Sequence, residues 1–235
     1  MKRKLEKVFN LALLPSALFA LFLFLFFKEF GLFFNKEEVF FVEETLKNLH
    51  KAFIWESQAR NRYTMFAKQA MKEALYELEA VFLETADQER EHAKQLSKMI
   101  NQLAAKSGKA PAPILVEAEG AAMFGVSIDN LKWSIAGENY ENTSMYPAFA
   151  KQAIADNLPD VAKRFSAIGA AEKHHKERYE KILKAIAEGT LLKKDKPVIW
   201  FCRKCGYMHV GISPPDKCPS CDHEKEYFYM RTEEW

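Results

Sequence analysis

Outside twenty residues near its C-terminus the sequence contains no cysteine. Cys202, Cys205, Cys218 and Cys221 are the whole complement, which excludes a disulfide framework and leaves metal-site spacing in its place. An excess of one charge sign is equally lacking. Against 34 Lys and Arg stand 32 Asp and Glu, a net of +2, so no strongly basic face is indicated and no nucleic-acid partner is expected. Glycine and proline number only 9 each in 235 residues, far from a collagen-like or low-complexity chain. Hydrophobic residues at 49% and charged residues at 28% are ordinary for a globular protein of one large domain or two unequal ones.

Phenylalanine is abundant and unevenly placed, with 11 of 19 falling before Val42. After Lys2, Arg3, Lys4 and Lys7, the run from Val8 to Phe27 is interrupted only by Asn10, Pro15 and Ser16, and about 20 residues at helical rise match a bilayer. No small-residue cleavage site follows, which disfavours a removable signal peptide. As an anchor, its basic flank places the N-terminus inside and everything after it outside. Residues 1–41 therefore carry two readings, a membrane anchor over residues 8–27 or an extension translated from upstream of the true start. A cytoplasmic location is expected, because reduced thiolates fit an external compartment poorly.

From about Val42 the pattern is helical. Phe53, Glu56, Ala59, Tyr63, Phe66, Ala67 and Ala70 recur at steps of three and four, the spacing of one amphipathic face. A turn near Lys72–Leu75 precedes a second helix over about 75–103. Ser107, Gly108, Pro111 and Pro113 open a long connection to Gly125. A third helix starts near Ser127, read as its N-cap, with Pro147 inside it. Asn157 to Pro159 separate it from a fourth helix ending near Gly189. Lys193 to Pro197 form a charged linker. The expected domains are thus 1–41, 42–192 and 193–235.

The central region repeats itself. Residues 66–70 and 149–153 are both Phe-Ala-Lys-Gln-Ala, 83 positions apart, and the same offset relates Phe82 to Phe165, Glu89 to Glu172 and His92 to His175. Glu56 relates to Glu138 at an offset of 82. One extra residue must then lie between Glu138 and Phe149, and Pro147 or a π-bulge is expected to absorb it. Glu89 with His92, and Glu172 with His175, are Glu-x-x-His pairs on one helical face. With Glu56 and Glu138 from the other two helices they follow the plan of a di-metal carboxylate site in a four-helix bundle. Glu141 adds a fifth carboxylate. Five buried glutamates are costly to desolvate unless cations offset them, and two irons bracket the required charge. Glu91 and His174 point away by helical phase, and His50 lies off the face of Glu56.

These runs resemble the rubrerythrins: Glu56-Ser57-Gln58-Ala59-Arg60-Asn61-Arg62-Tyr63; Glu84-Thr85-Ala86 leading to Glu89 and His92; Ala136-Gly137-Glu138-Asn139-Tyr140-Glu141 followed by Met145-Tyr146-Pro147; and Ala171-Glu172 leading to His175. The resemblance covers roughly residues 43–235. It implies a mainly α chain, a ferritin-like four-helix bundle followed by a small rubredoxin-like metal-binding domain of strand and loop. It further implies two non-haem irons held by Glu56, Glu89, Glu138, Glu141, Glu172 and His175. His92 stands at the position that exchanges with the glutamate at 141 when the irons are reduced, and Tyr63 and Tyr146 resemble tyrosines that hydrogen-bond the carboxylates. One departure is evident: Trp55 stands where the family usually has glycine, and the bulk of its indole is expected to narrow access to the centre or reposition that helix.

Cys202-x2-Cys205 and Cys218-x2-Cys221, twelve residues apart, form two chelating knuckles for a four-thiolate site. Zinc and iron both accept it. Trp200, Phe201, Gly206, Tyr207 and Pro219 resemble rubredoxin knuckles, and because a redox-inert zinc beside a di-iron centre would leave no internal route for electrons, the association favours one iron over a zinc ribbon. His209 and His223 are expected to be exposed and not ligands. The resemblance to the rubrerythrins further implies reduction of hydrogen peroxide to water, with electrons from an external donor, a rubredoxin or an NAD(P)H-linked reductase, in a homodimer or larger homo-oligomer. The alternative is a ferritin-like ferroxidase that stores iron.

Overall fold

The computed structural model describes residues 36–108 and 110–230, with side chains from residue 43 onward. The hydrophobic segment of residues 8–27 lies outside them. Among the described residues no helix is long and apolar enough to cross a membrane.

The helices are α1 (Lys36–Lys72), α2 (Tyr76–Lys106), α3 (Ser127–Tyr140), α4 (Tyr146–Ala155) and α5 (Pro159–Ala187). α1 begins several residues before Val42, where periodicity alone placed its start. Between α3 and α4 runs a π-helical turn, Glu141–Met145, whose flanking residues Tyr140 and Tyr146 keep right-handed helical angles. α3, the π turn and α4 are therefore one rod, and the bundle has four. The extra residue demanded by the repeat sits in that turn, wound in as a wider coil. Pro147 follows at the start of α4, where its missing N–H is tolerated.

Conformation repeats along with sequence. Ala74 and Asn157, related by the same 83-residue offset as Glu89 and Glu172, both adopt a left-handed conformation, with φ of 56° and 57°. Each is followed by a leucine whose N–H reaches back across the helix end, Leu75 to Ala70 at 2.9 Å and Leu158 to Ala153 at 2.8 Å. Both turns reverse the chain in the same way and stack α2 on α1 and α5 on α4. Asparagine tolerates this conformation, whereas the alanine Cβ collides with its own backbone.

The cores repeat too. Phe66, Phe82 and Phe165 are at most 1% exposed, as are Tyr63 and Tyr146. Phe53, by contrast, is 37% exposed, because it lies at the edge of the α1 apolar stripe. Ser127 also departs from expectation. It is the first residue of α3, preceded by Val126 at the cap position, and no side-chain hydroxyl closes the helix. The Glu73 carboxylate does so from the α1–α2 turn, accepting the Ser127 N–H at 3.2 Å. An anion at a helix start complements its dipole.

After α5 the cysteine module forms a three-stranded antiparallel sheet, β1 (Val198–Cys202), β2 (Met208–Gly211) and β3 (Phe228–Met230), in the order β2-β1-β3. Trp200, Cys202, Cys218 and Phe228 are its buried centre. Bundle and module lie in one compact unit, Glu44–Trp235. They meet at the start of α2, where Arg203 pairs with Glu77 at 2.6 Å and the Tyr76 and Tyr227 hydroxyls bond at 2.8 Å.

Replacing Ala74 with glycine removes the Cβ collision while loosening the unfolded chain, for a net gain of about 0.5–1 kcal/mol in stability. Urea unfolding of Ala74→Gly checks this, and Asn157→Ala should lose a similar amount.

Candidate metal centre

The four rods converge chemically at their middles. α1 supplies Glu56, α2 supplies Glu89 and His92, α3 with its π turn supplies Glu138 and Glu141, and α5 supplies Glu172 and His175. All five glutamates are at most 1% exposed and His175 is 3% exposed. Glu91 and His174 face solvent.

Donor atoms fall into two overlapping groups, Glu56–Glu89–His92–Glu172 and Glu89–Glu138–Glu172–His175, each with its atoms within 4.8 Å of one another. Glu89 and Glu172 belong to both, so these two carboxylates could each serve two cation positions at once. His175 Nδ1 lies 2.7 Å from Glu172 and 3.1 Å from Glu89. His92 Nδ1 lies 2.9 Å from Glu89 and 3.0 Å from Glu172. Even so, Glu56 Oε2, Glu89 Oε1, Glu138 Oε2, both Glu172 oxygens and His175 Nδ1 are buried without a hydrogen-bond partner. Buried polar atoms are seldom left so. They converge on common points instead of aligning on one another, and a set of carboxylate oxygens with one imidazole per position fits iron.

The electrostatics agree. Burial, with the charges of Glu172 and Glu89 added, pushes the Glu56 carboxyl well above the usual range. Burial, then Glu56 and Glu138, does the same to Glu141. Glu138 is pushed up to about 8, chiefly by burial. Glu89 goes the other way: burial opposes its charge, but His175 and His92 prevail and hold it at about 2. Burial would lower both imidazoles, yet the surrounding carboxylates raise His92 far above its ordinary range and His175 to about 12. Without cations, the cluster holds protons in their place.

Two tyrosines tie the halves together crosswise. The Tyr63 hydroxyl, from α1, donates to Glu138 Oε1, and the Tyr146 hydroxyl, at the end of the π turn, donates to Glu56 Oε1. These two tyrosines are themselves related by the repeat offset. Gly169 of α5 lets Tyr146 approach, since a Cβ there would lie 3.0 Å from the tyrosine Cβ. Glu141 alone joins neither group. Its Oε1 accepts the indole N–H of Trp55. Sequence reasoning marked Trp55 only for its bulk; its polar role depends on a side-chain direction that spacing does not reveal. Arg62, near-buried over the Trp55 ring at 5.6 Å, was likewise missed, having no motif of its own.

In the cysteine module the four sulfurs also lie within 4.8 Å of one another, with Cys202–Cys221 at 3.7 Å and Cys205–Cys218 at 3.6 Å. All four are free thiols. Each knuckle closes identically, Gly206 N–H to Cys202 O and Asp222 N–H to Cys218 O, both 2.9 Å. Gly206 and Asp222 carry the left-handed conformation this needs, at φ of 76° and 58°. The Tyr207 backbone N–H lowers the exposed Cys205 thiol to about 6. His209 and His223 are half-buried rather than exposed, and both lie outside the sulfur group. His223 bonds the Cys221 carbonyl at 3.0 Å and packs on Tyr227.

Fold and site together define a ferritin-like bundle built for two metals, joined to a four-thiolate module. Family models agree: residues 47–183 match Rubrerythrin, and residues 200–229 match the rubredoxin-like domain of rubrerythrin. The chain belongs to the rubrerythrin family. It is 50% identical over 195 residues to a putative rubrerythrin of Methanocaldococcus jannaschii, covering 83% of this chain and 96% of that one. It is 39% identical to the rubrerythrin of Nitratidesulfovibrio vulgaris, covering 81% and 96%. Among solved structures, partially reduced nigerythrin is similar at a TM-score of 0.53 and 28% identity, covering 80% and 86%. The family carries a di-iron site and a rubredoxin-like iron site, and this chain is accordingly an iron-binding oxidoreductase of the kind that serves oxidative stress defence.

The proton balance gives a test. Glu138 rises from 4.5 to about 8 and His175 from 6.5 to about 12 on folding. Groups raised in this way stabilise the fold at low pH and lose that contribution as pH climbs toward the folded value. Chelated, metal-free protein should therefore melt at a lower temperature at about pH 9 than at about pH 6, and the iron-loaded protein should lose far less. Calorimetry of both forms measures the difference.

Proposed function

We propose that this chain is a non-haem di-iron peroxidase that reduces hydrogen peroxide to water. The reading rests on one observation: two four-donor groups sharing Glu89 and Glu172, in the same compact unit as a four-thiolate site. Glu56, Glu89, His92 and Glu172 would hold one iron; Glu89, Glu138, Glu172 and His175 the other; and Cys202, Cys205, Cys218 and Cys221 a third. A pair of irons held there would supply one electron each, matching the two that peroxide needs.

The chain's own groups prepare that chemistry. Tyr63 and Tyr146 hold Glu138 and Glu56 by one oxygen apiece, so each carboxylate offers its other oxygen to the centre. Glu141 and His92 are alternative donors at one position, an anion suited to the more oxidised pair and a neutral imidazole to the reduced one. The buried walls exclude bulk water, which strengthens these charge interactions.

Electron return falls to the sulfur site, fed by an external rubredoxin or NAD(P)H-linked reductase in the cytoplasm. Glu77, the docking point of the module, precedes Glu89 by twelve residues, about 18 Å of helix. The family resemblance implies that the module of a second copy would meet the centre instead, in a homodimer or larger homo-oligomer. Iron storage is the weaker reading, because a ferroxidase has no use for an attached electron carrier.

Cys202→Ser should abolish peroxide turnover with an external donor, yet leave single-turnover oxidation of the chemically reduced protein intact. Stopped-flow absorbance follows both. Loss of the single turnover as well would count against separate roles, and a wild-type chain inert to peroxide would dismiss the peroxidase.

A further inference from the structure

The metal cluster is nearly symmetric between the two halves of the bundle, and Glu141 is what breaks the symmetry. The matching positions in the first half are Gln58 at an offset of 83 and Ala59 at 82, so neither offers a carboxylate. Glu141 is thus a carboxylate without a counterpart. Glu56 is the neighbouring charge that acts on it most, so the group around Glu56 is the one that would have a choice of donor, His92 or Glu141. His92 lies in that group, while Glu141 accepts a hydrogen bond from Trp55 instead.

Trp55 is well placed to control the choice. An indole has a single donor and no acceptor, and at 9% exposure the side chain has little access to water. Its ring is fixed by Tyr140, 5.5 Å away, and by the Arg62 guanidinium at 5.6 Å. Glu141 is 1% exposed, so its carboxylate, when not on a cation, depends on that N–H. A buried carboxylate and a neutral imidazole differ by a full charge, and the carboxylate favours the more positive metal pair. A donor that retains the carboxylate therefore favours the less positive one.

We propose that Trp55 is a positioning residue that keeps Glu141 out of the ligand set, leaves that metal position to His92, and thereby biases the centre toward its reduced state. This rests on the di-iron reading and adds what sets its potential.

The test is a redox titration of the full, iron-loaded chain, followed by the di-iron absorbance, with the thiolate iron as an internal reference. Trp55→Phe keeps an aromatic ring for Arg62 and Tyr140 but lacks the donor. Incorporation of 3-benzothienylalanine at position 55 removes only the N–H at unchanged shape, and keeps the inference testable should phenylalanine disturb packing. Both should shift the ratio of reduced to oxidised centre by roughly tenfold toward oxidised, about 59 mV for a one-electron step, with the thiolate iron unmoved. In a Glu141→Ala background the same change should have no effect, since the carboxylate it governs is gone. An unchanged di-iron potential in the benzothienyl protein overturns the inference and leaves the di-iron reading standing. A native chain that holds fewer than two irons beyond the thiolate one overturns both.

Discussion

Carboxylates withdrawn from water repel one another, and the bundle places five where solvent does not reach. Burying ionised groups without partners costs more than packing can repay. Everything at the middle of the bundle answers this constraint. Two imidazoles enter beside the bridging glutamates, two tyrosines tether the outer ones, an indole takes the fifth, and the orphaned lone pairs point at two shared places. Folding and metal binding are in this sense one process.

The same constraint explains why so much was legible beforehand. A Glu-x-x-His pair alone is an ordinary surface feature, but recurrence at a fixed offset made it architectural, since repeated spacing places both pairs on equivalent faces. The cysteine knuckles were legible for the same reason: a four-thiolate site must be built from short chelating loops. Even the extra residue after Glu138 could be located by counting, and the π turn at Glu141–Met145 is where it is absorbed.

What escaped the sequence depends on side-chain direction and on contacts between distant segments. Ser127 has the composition of a cap, yet Glu73 from another turn performs the capping. Phe53 shares a period with buried neighbours and still lies at a rim. Trp55 looked like an obstruction, because neither hydropathy nor spacing tells that its N–H reaches a carboxylate 86 residues away. Nor could the docking of the module through Arg203 and Tyr227 be inferred, as single surface residues carry no period.

The π turn has a further meaning. Matching sequence, matching left-handed turns and crosswise tyrosines describe a bundle that reads as one helical hairpin copied and joined to itself. A copied hairpin makes identical seats, and identical seats treat both ends of a bound molecule alike. One surplus residue, wound into a wider coil rather than expelled as a loop, lies in the same stretch as the acid that only one seat possesses. Inequality between twins can thus begin with the insertion of a single codon.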